Sequence, residues 1–220
     1  RTGREDLTSQ HRKDASAAFD VNDAGESVGE FNGDAALRPF KKRRGARVEP
    51  LTTLPGDPAG SAIGINRHGE AVGYSSGPQG IRAVWWTRTG AIRTLPGLPG
   101  AEESRAVAIN DKGDIAGVSG SVGALRAVVW PGKGAVVDLA TLPGDSTSSA
   151  EAISNTGEVV GFSEGPHGTR AVLWPPSAPP QNLGVLLGGD SSRPRATPCM
   201  MFQTSPSGPA SGGDISRRGR

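Results

Sequence analysis

The residues best suited to nucleophilic or acid–base chemistry in this sequence are three histidines and one cysteine. His11 lies near the start of the chain, His68 lies inside an Asn-Arg-His-Gly turn, and His167 follows a Gly-Pro pair. Cys199 stands alone, so its one route to a disulfide is pairing between two chains. Because nucleophilic catalysis needs a nucleophile, a base and an orienting group together, these scattered residues predict a protein that is not an enzyme.

Paired carboxylates are the second candidate, because two acids can serve glycosidic or lyase chemistry. Asp57 and Asp145 each follow a Leu-Pro-Gly triplet, and Asp190 is displaced by one position from the same pattern. Aspartate is a common turn former. Their recurrence in register therefore favours a structural role, and a carbohydrate-active lyase or hydrolase is kept as an alternative.

Residues 20–25 (DVNDAG) resemble a calcium-binding loop only faintly. Ala24 stands where the third ligand belongs, and no glutamate follows at the required distance. We therefore predict no metal site and no cofactor.

The most basic segment is 38–47 (RPFKKRRGAR), which carries six basic residues and no acid, within a chain of net charge +2. Four consecutive cations offer a contact to an anionic polymer such as polysaccharide, lipid head groups or nucleic acid: Lys41, Lys42, Arg43 and Arg44. No aromatic residues alternate with them, so specific nucleic-acid stacking is not expected. The favoured interpretation is a solvated loop.

A further set of cations recurs just before a predicted strand in three parts of the chain: Arg82, Arg126 and Arg170. They could line one rim and bind anions. Pairing with an acidic residue of the same or adjacent unit, such as Glu70, Asp114 or Glu158, is the favoured interpretation, so their role is predicted to be structural.

These residues belong to an internal repeat of 44 residues, which fixes the fold class. Glycine and tryptophan columns keep this spacing without gaps: Gly29, Gly73, Gly117 and Gly161, and Trp86, Trp130 and Trp174, with Lys42 in the first copy. We divide the repeat region 18–193 into units 18–61, 62–105, 106–149 and 150–193. Residues 1–17 and 194–220 do not follow the pattern, and we predict that both are largely disordered.

Each unit is predicted to hold four short strands. In the second unit, 61–65, 70–75, 82–86 and 91–95 alternate small or polar with branched or aromatic residues, and glycine-containing turns separate them. Four strands in about 40–45 residues are typical of one propeller blade. We therefore predict an all-β, propeller-like array of four repeats. A closed four-bladed ring, an incomplete propeller, a β-solenoid and a β-sandwich are open alternatives.

The packing of the units follows from the same pattern. Ile63, Ile65, Val72, Val84 and Leu95 are expected to supply contacts between blades. Trp86 and its equivalents are expected to lie over the next blade. Gly64 and Gly73 are expected where strands crowd too closely for a side chain.

Several segments resemble the HAF-family extracellular repeat: TLPGD at 53–57 and 141–145, AVAINDKGDIAGVS at 106–119, and RAVVWPGKGAVVDL at 126–139. The resemblance covers 18–193. The family's His-Ala-Phe triplet is absent, and Arg170-Ala171-Val172 stands in its place. The resemblance implies a bacterial, secreted or surface-associated protein and no known activity.

The expected function is therefore a non-catalytic extracellular or cell-surface repeat module for binding or scaffolding. Its expected partners are a polysaccharide or a surface protein. No apolar run in the sequence approaches the ~20 residues of a membrane helix, so no membrane span is expected. A degenerate fragment of a longer repeat protein is the third alternative.

Overall fold

A computed structural model describes residues 15–33 and 36–184. In these residues the chain forms sixteen strands, and one 3-10 turn at Pro131–Lys133 is the single helical element. The first sheet comprises β1 Ser16–Val21, β2 Ser27–Asn32, β3 Leu37–Lys42 and β4 Val48–Pro50. The second comprises β5 Ala59–Ile65, β6 Ala71–Gly77, β7 Gly80–Trp86 and β8 Ile92–Thr94. The third comprises β9 Glu103–Ile109, β10 Ile115–Ser121, β11 Ala124–Trp130 and β12 Val137–Asp138, and the fourth β13 Thr147–Ile153, β14 Val159–Gly165, β15 Gly168–Trp174 and β16 Gln181–Asn182.

Every sheet is an antiparallel meander whose strands pair in chain order. The strands begin two to three residues before the unit borders, since β1 starts at Ser16 and β5 at Ala59. The start of β1 therefore falls inside the flank 1–17. The remainder of that flank up to residue 14, and the tail 194–220, lie outside the described residues.

The four sheets form a curved, propeller-like array. The first strand of each sheet from the second onward packs against the preceding sheet, and neighbouring first strands also touch one another. One cavity of about 360 Å³ is lined by the turns that follow the four first strands and by Ile65, Ile109 and Ile153, the last residues of β5, β9 and β13. The first strands therefore lie on the inner side of the curve, as in a propeller.

Within the described residues, extensive packing joins consecutive sheets only. The face of the second sheet that packs against the third sheet is buried, whereas the equivalent face of the fourth sheet is exposed. Val72 and Leu95 are 0% and 2% exposed, whereas their equivalents Val160 and Leu183 are 36% and 57% exposed. The repeated apolar columns are thus buried by the sheet that follows.

A β-bulge recurs in every first strand and explains the glycine column. In the second sheet Gly73 pairs with Ala62, and the ladder then skips Ile63. A Cβ on Gly73 would overlap the Ser61 carbonyl oxygen. The same overlap occurs at the three equivalent glycines: Gly29, Gly117 and Gly161. The crowding expected at Gly73 is confirmed, and Gly64 also lies close to a backbone carbonyl, that of Val107.

Apolar clusters fill the space between sheets. They show that the tryptophans pack on the opposite side from the one expected. Trp86 packs with Val28 of the first sheet and with Leu51 and Leu54 of the connection that follows it. The Trp86 indole Nε1 donates to the Thr52 carbonyl at 2.8 Å. Each tryptophan therefore covers the preceding sheet, not the next one, because its ring points back to a carbonyl 34 residues earlier.

Most of the residues predicted to join the blades do so. Ile65 and Val84 lie in the cluster between the first and second sheets, and Val72 and Leu95 lie in the next one. Ile63 occupies the bulge and is half-buried. No helix in the described ranges is long and apolar enough to cross a lipid bilayer.

Candidate functional site

The turns between the first and second strands of consecutive sheets are joined by an asparagine ladder. The side-chain Nδ2 of each asparagine donates to the backbone carbonyl 44 residues later, at 3.0, 3.2 and 3.0 Å. The ladder consists of Asn22, Asn66, Asn110 and, at its end, Ser154. The ladder fixes the spacing of adjacent turns, so side chains on these turns form one continuous rim.

Each asparagine also shapes its own turn. Asn66 is 3% exposed, and its Oδ1 accepts from the backbone N–H groups of His68 and Glu70 at 3.1 and 3.0 Å. Its Nδ2 donates to the Glu70 carboxylate at 3.0 Å as well as along the ladder. Gly69 closes the turn at φ +75°, which glycine adopts without strain. The buried amide is thereby fully used.

A groove of about 720 Å³ runs along this rim, and we call it the turn-end groove. Three units contribute to it. Its walls are Ala24, Glu26, Arg43, Arg44, Arg67, His68, Glu70, Arg88, Asp111, Lys112 and Gly113. Five arginine and lysine side chains therefore face three carboxylates.

Two of those carboxylates are held by cations within the protein. Glu70 lies 2.6 Å from the Lys133 ammonium, and Glu26 lies 3.4 Å from Lys41 and 3.5 Å from Arg43. Burial alone raises the pKa of Glu70, but hydrogen bonds from Lys133 and Asn66 outweigh it and hold that pKa below its ordinary value. Burial also raises the pKa of Glu26. The hydrogen bond from Asn22 and the positive charge of Lys41 together outweigh that effect, so the pKa of Glu26 is lowered as well. Both groups are ionised at neutral pH.

The third carboxylate, Asp111, bonds to both neighbouring turns. It accepts from the Arg67 backbone N–H at 3.0 Å and from the Asn155 side chain at 2.9 Å. Its pKa is lowered first by the Arg67 backbone hydrogen bond and then by the one from Asn155. Asp111 thus joins the turns on either side of it by hydrogen bonds and also forms part of the groove wall.

Three groove cations differ from the rest because they pair with no acid that the structure describes. Arg44, Arg88 and Lys112 are exposed, and none makes an ion pair within 15–33 and 36–184. Arg44 and Arg88 occupy the same repeat position on the third-to-fourth strand turns of adjacent sheets. The groove therefore carries positive charge that no acid in the described part of the chain neutralises.

The interpretation of Lys41 to Arg44 as a solvated loop is wrong for its first two residues. Lys41 and Lys42 lie in β3 and are 2% and 9% exposed. The Lys41 ammonium donates to the Gly69 carbonyl at 2.7 Å. Of the four predicted anion contacts, only Arg43 and Arg44 line the groove, since both lysines are almost entirely buried in β3.

The recurring arginines do pair with acids, but the acid is not the expected one. The Arg82 guanidinium lies 2.9 Å from both Asp57 carboxylate oxygens, and the Ser75 hydroxyl donates to Asp57 at 2.6 Å. Glu70 pairs with Lys133 instead. On the fourth sheet the cluster recurs with Arg170, Ser163 and Asp145, which lies in the connection before that sheet.

The third sheet lacks the aspartate, because Ala101 stands at that position in the connection before it. Arg126 there pairs with Asp138 at 3.2 Å, on the neighbouring strand β12. The cluster is therefore a replaceable brace on the strands. This variation supports a structural role for Asp57 and Asp145 over an active-site role.

We expect Asp57→Asn to lower the free energy of unfolding by about 1–3 kcal/mol, because a nearly buried carboxylate loses its charge opposite Arg82. Thermal melts monitored by circular dichroism measure this change. Asp23→Asn is the matched control, since Asp23 is exposed and makes no ion pair in the described part of the chain. Equal melting temperatures for the two variants would contradict a stabilising role of the Asp57–Arg82 pair.

The remaining candidates lie apart from one another. His68 is on the groove, where its Nε2 lies 3.2 Å from the Asp111 carbonyl, and His167 is exposed on another turn. In the DVNDAG segment, the Asp20 carboxylate accepts from the backbone N–H groups of Val21 and Ile65. Among the described residues, no three acids, histidines or cysteines gather as metal ligands would. His11, Cys199 and Asp190 lie outside those residues.

Sequence reasoning missed Arg67, Arg88 and Lys112 as groove residues. They belong to three different turns in two adjacent units, and none stands in a charge run. The available signal was the repeat itself. Aligning the four copies puts Arg44 above Arg88 and His68 above Lys112, both on turns at one end of the sheets.

No family model matches the chain, and no curated protein matches it. Solved structures do match, among them "YCF48 bound to D1 peptide", at 16% identity and a TM-score of 0.38. That match covers 76% of this chain and 55% of the other. A likeness this distant says nothing about what this chain binds.

Proposed function

We propose that this chain is a non-catalytic repeat module for binding or scaffolding, outside the bacterial cell or on its surface. The resemblance of 18–193 to the HAF extracellular repeat supports the location. The proposed partners are a polysaccharide or a surface protein, and the proposed contact surface is the turn-end rim.

One observation carries the proposal: framework positions repeat between units, whereas the two residues after each ladder position do not. The buried tryptophans, bulge glycines and ladder asparagines recur at 44-residue spacing. The tryptophans and asparagines join neighbouring sheets, and the glycines allow close strand pairing within each sheet. On the ladder turns, the two residues after the ladder position change from unit to unit: Asp23-Ala24, Arg67-His68, Asp111-Lys112 and Asn155-Thr156. Varied side chains on a rigid scaffold are the usual arrangement of a binding surface.

The carbohydrate-active alternative predicts acids from different units converging on the central cavity. Asp23 and Asp111 do line that cavity, but Asp111 already accepts hydrogen bonds from the adjacent turns. The general acid of a glycosidase has a raised pKa, whereas the hydrogen bonds from Arg67 and Asn155 lower the pKa of Asp111. This geometry favours binding over turnover.

The test is affinity electrophoresis of the full chain in gels that contain neutral or anionic polysaccharides, followed by assays for new reducing ends and for unsaturated uronates. We expect retardation by at least one polymer without product. Product formation would establish the enzyme alternative. Unchanged mobility in every gel, together with no binding to isolated bacterial surface proteins, would overturn the proposal.

A further inference from the structure

We infer that the turn-end groove binds an anionic polysaccharide through its sulfate or carboxylate groups. This inference rests on the proposed function and names the ligand class for it. Its basis is the balance of charge in the groove, where each acid has a partner and three cations have no acidic partner among residues 15–33 and 36–184.

The acids of the groove are satisfied from within the protein. Glu70 is held by Lys133 from the third unit, Glu26 by Lys41 and Arg43, and Asp111 by hydrogen bonds from the turns beside it. A ligand therefore does not need to supply cations. An anionic ligand meets a surface whose carboxylates are already compensated.

The unpaired cations are the groups that such a ligand would contact. Arg44, Arg88 and Lys112 are exposed and come from three different units. Arginine presents a planar fork that matches carboxylate and sulfate oxygens, and lysine adds a point charge. Cations distributed along a groove fit a polymer with regularly spaced anions better than they fit one small anion.

The groove lining favours a polysaccharide over other polyanions. No tryptophan, tyrosine or phenylalanine lines it, so the stacking platform typical of single-stranded nucleic-acid binding is absent from this described surface. The cations sit inside a concavity of about 720 Å³, whereas a flat lipid surface is met best by protruding residues. A flexible chain of sugars can enter the groove.

The test measures binding of the full chain to heparin-derived oligosaccharides, which carry sulfate and carboxylate, and to oligogalacturonate, which carries carboxylate alone. We expect binding that weakens as salt rises, because exposed charge pairs are screened. The double variant Arg44→Ser/Arg88→Ser should weaken this binding about tenfold, since two exposed ion pairs with the oligosaccharide are lost. Arg47→Ser/Arg93→Ser removes the same charge at exposed positions outside the groove and should leave affinity nearly unchanged.

Both double variants should melt like the parent chain, because none of these four arginines makes an ion pair in the described residues. Binding to heparin alone would assign sulfate as the recognised group, and binding to both probes would assign the shared anionic chemistry. Equal losses in the two variants would overturn the groove as the site. Tighter binding to a single-stranded oligonucleotide or to anionic lipid vesicles would overturn the ligand class.

The two proposals fail in different ways. Binding to neutral dextran or to a surface protein, with none to the anionic oligosaccharides, would overturn this inference and leave the proposed function standing. Failure of every ligand would overturn both.

Discussion

Gly73→Ala is expected to lower the free energy of unfolding by about 3 kcal/mol or more, enough to abolish the cooperative melt of a marginal domain. The added Cβ would overlap the Ser61 carbonyl oxygen and lie 3.0 Å from the Ala62 Cα. Both are backbone atoms of the paired strand, at a bulge that fixes the inner edge of the sheet. No side-chain rotation can relieve the contact.

Gly97→Ala is the matched control for this effect. A Cβ at Gly97 meets only side-chain atoms, the nearest being the Ser119 hydroxyl at 3.3 Å. We expect a change within about 1 kcal/mol, measured by urea unfolding of both variants. Similar midpoints for Gly73→Ala and the parent chain would show that the bulge does not hold the strands as described.

The 44-residue repeat allowed the fold to be predicted from the sequence. It did not show at which residue each sheet begins. Repetition gives the length of a unit, and the alternation in 61–65 and 82–86 identifies strands. It does not say where the first strand begins, because Ala59-Gly60 carries no alternation of its own. The borders at 62, 106 and 150 therefore cut first strands that begin three residues earlier.

The direction of each tryptophan could not be read from the sequence for a related reason. A column that repeats along an array has a neighbour on both sides, and spacing alone treats the two alike. The choice is made by geometry, since the indole N–H of Trp86 reaches the Thr52 carbonyl and that carbonyl lies in the preceding connection.

The candidate site was the least predictable part. A run such as Lys41 to Arg44 draws attention in a sequence, yet pairing of Lys41 with Val28 places that lysine in a strand where it reaches the Gly69 carbonyl. Arg88 and Lys112, by contrast, lie outside any charge run and line one groove only because the array brings turns of adjacent sheets to the same end. Charge in a groove is a property of the array, not of any one segment.

Trp130→Ala is expected to cost about 3–5 kcal/mol, because it removes a large, fully buried side chain and leaves a cavity. The ring packs with Val72 and Ala83 at the interface between the second and third sheets, and its Nε1 donates to the Pro96 carbonyl at 2.7 Å. In a repeat array, stability is approximately a sum of unit and nearest-neighbour interface terms. Damage at this central interface should therefore broaden the melt as well as lower its midpoint, since the two halves become less coupled.

Trp130→Phe separates packing from hydrogen bonding, because it keeps an aromatic ring and loses the bond to Pro96. We expect a smaller loss for it than for the alanine variant, in thermal melts followed by circular dichroism. An unchanged midpoint for Trp130→Ala would contradict the placement of this residue in the core. A lower midpoint without broadening would mean that the array unfolds as a single cooperative block, in which the sheets depend on more than their immediate neighbours.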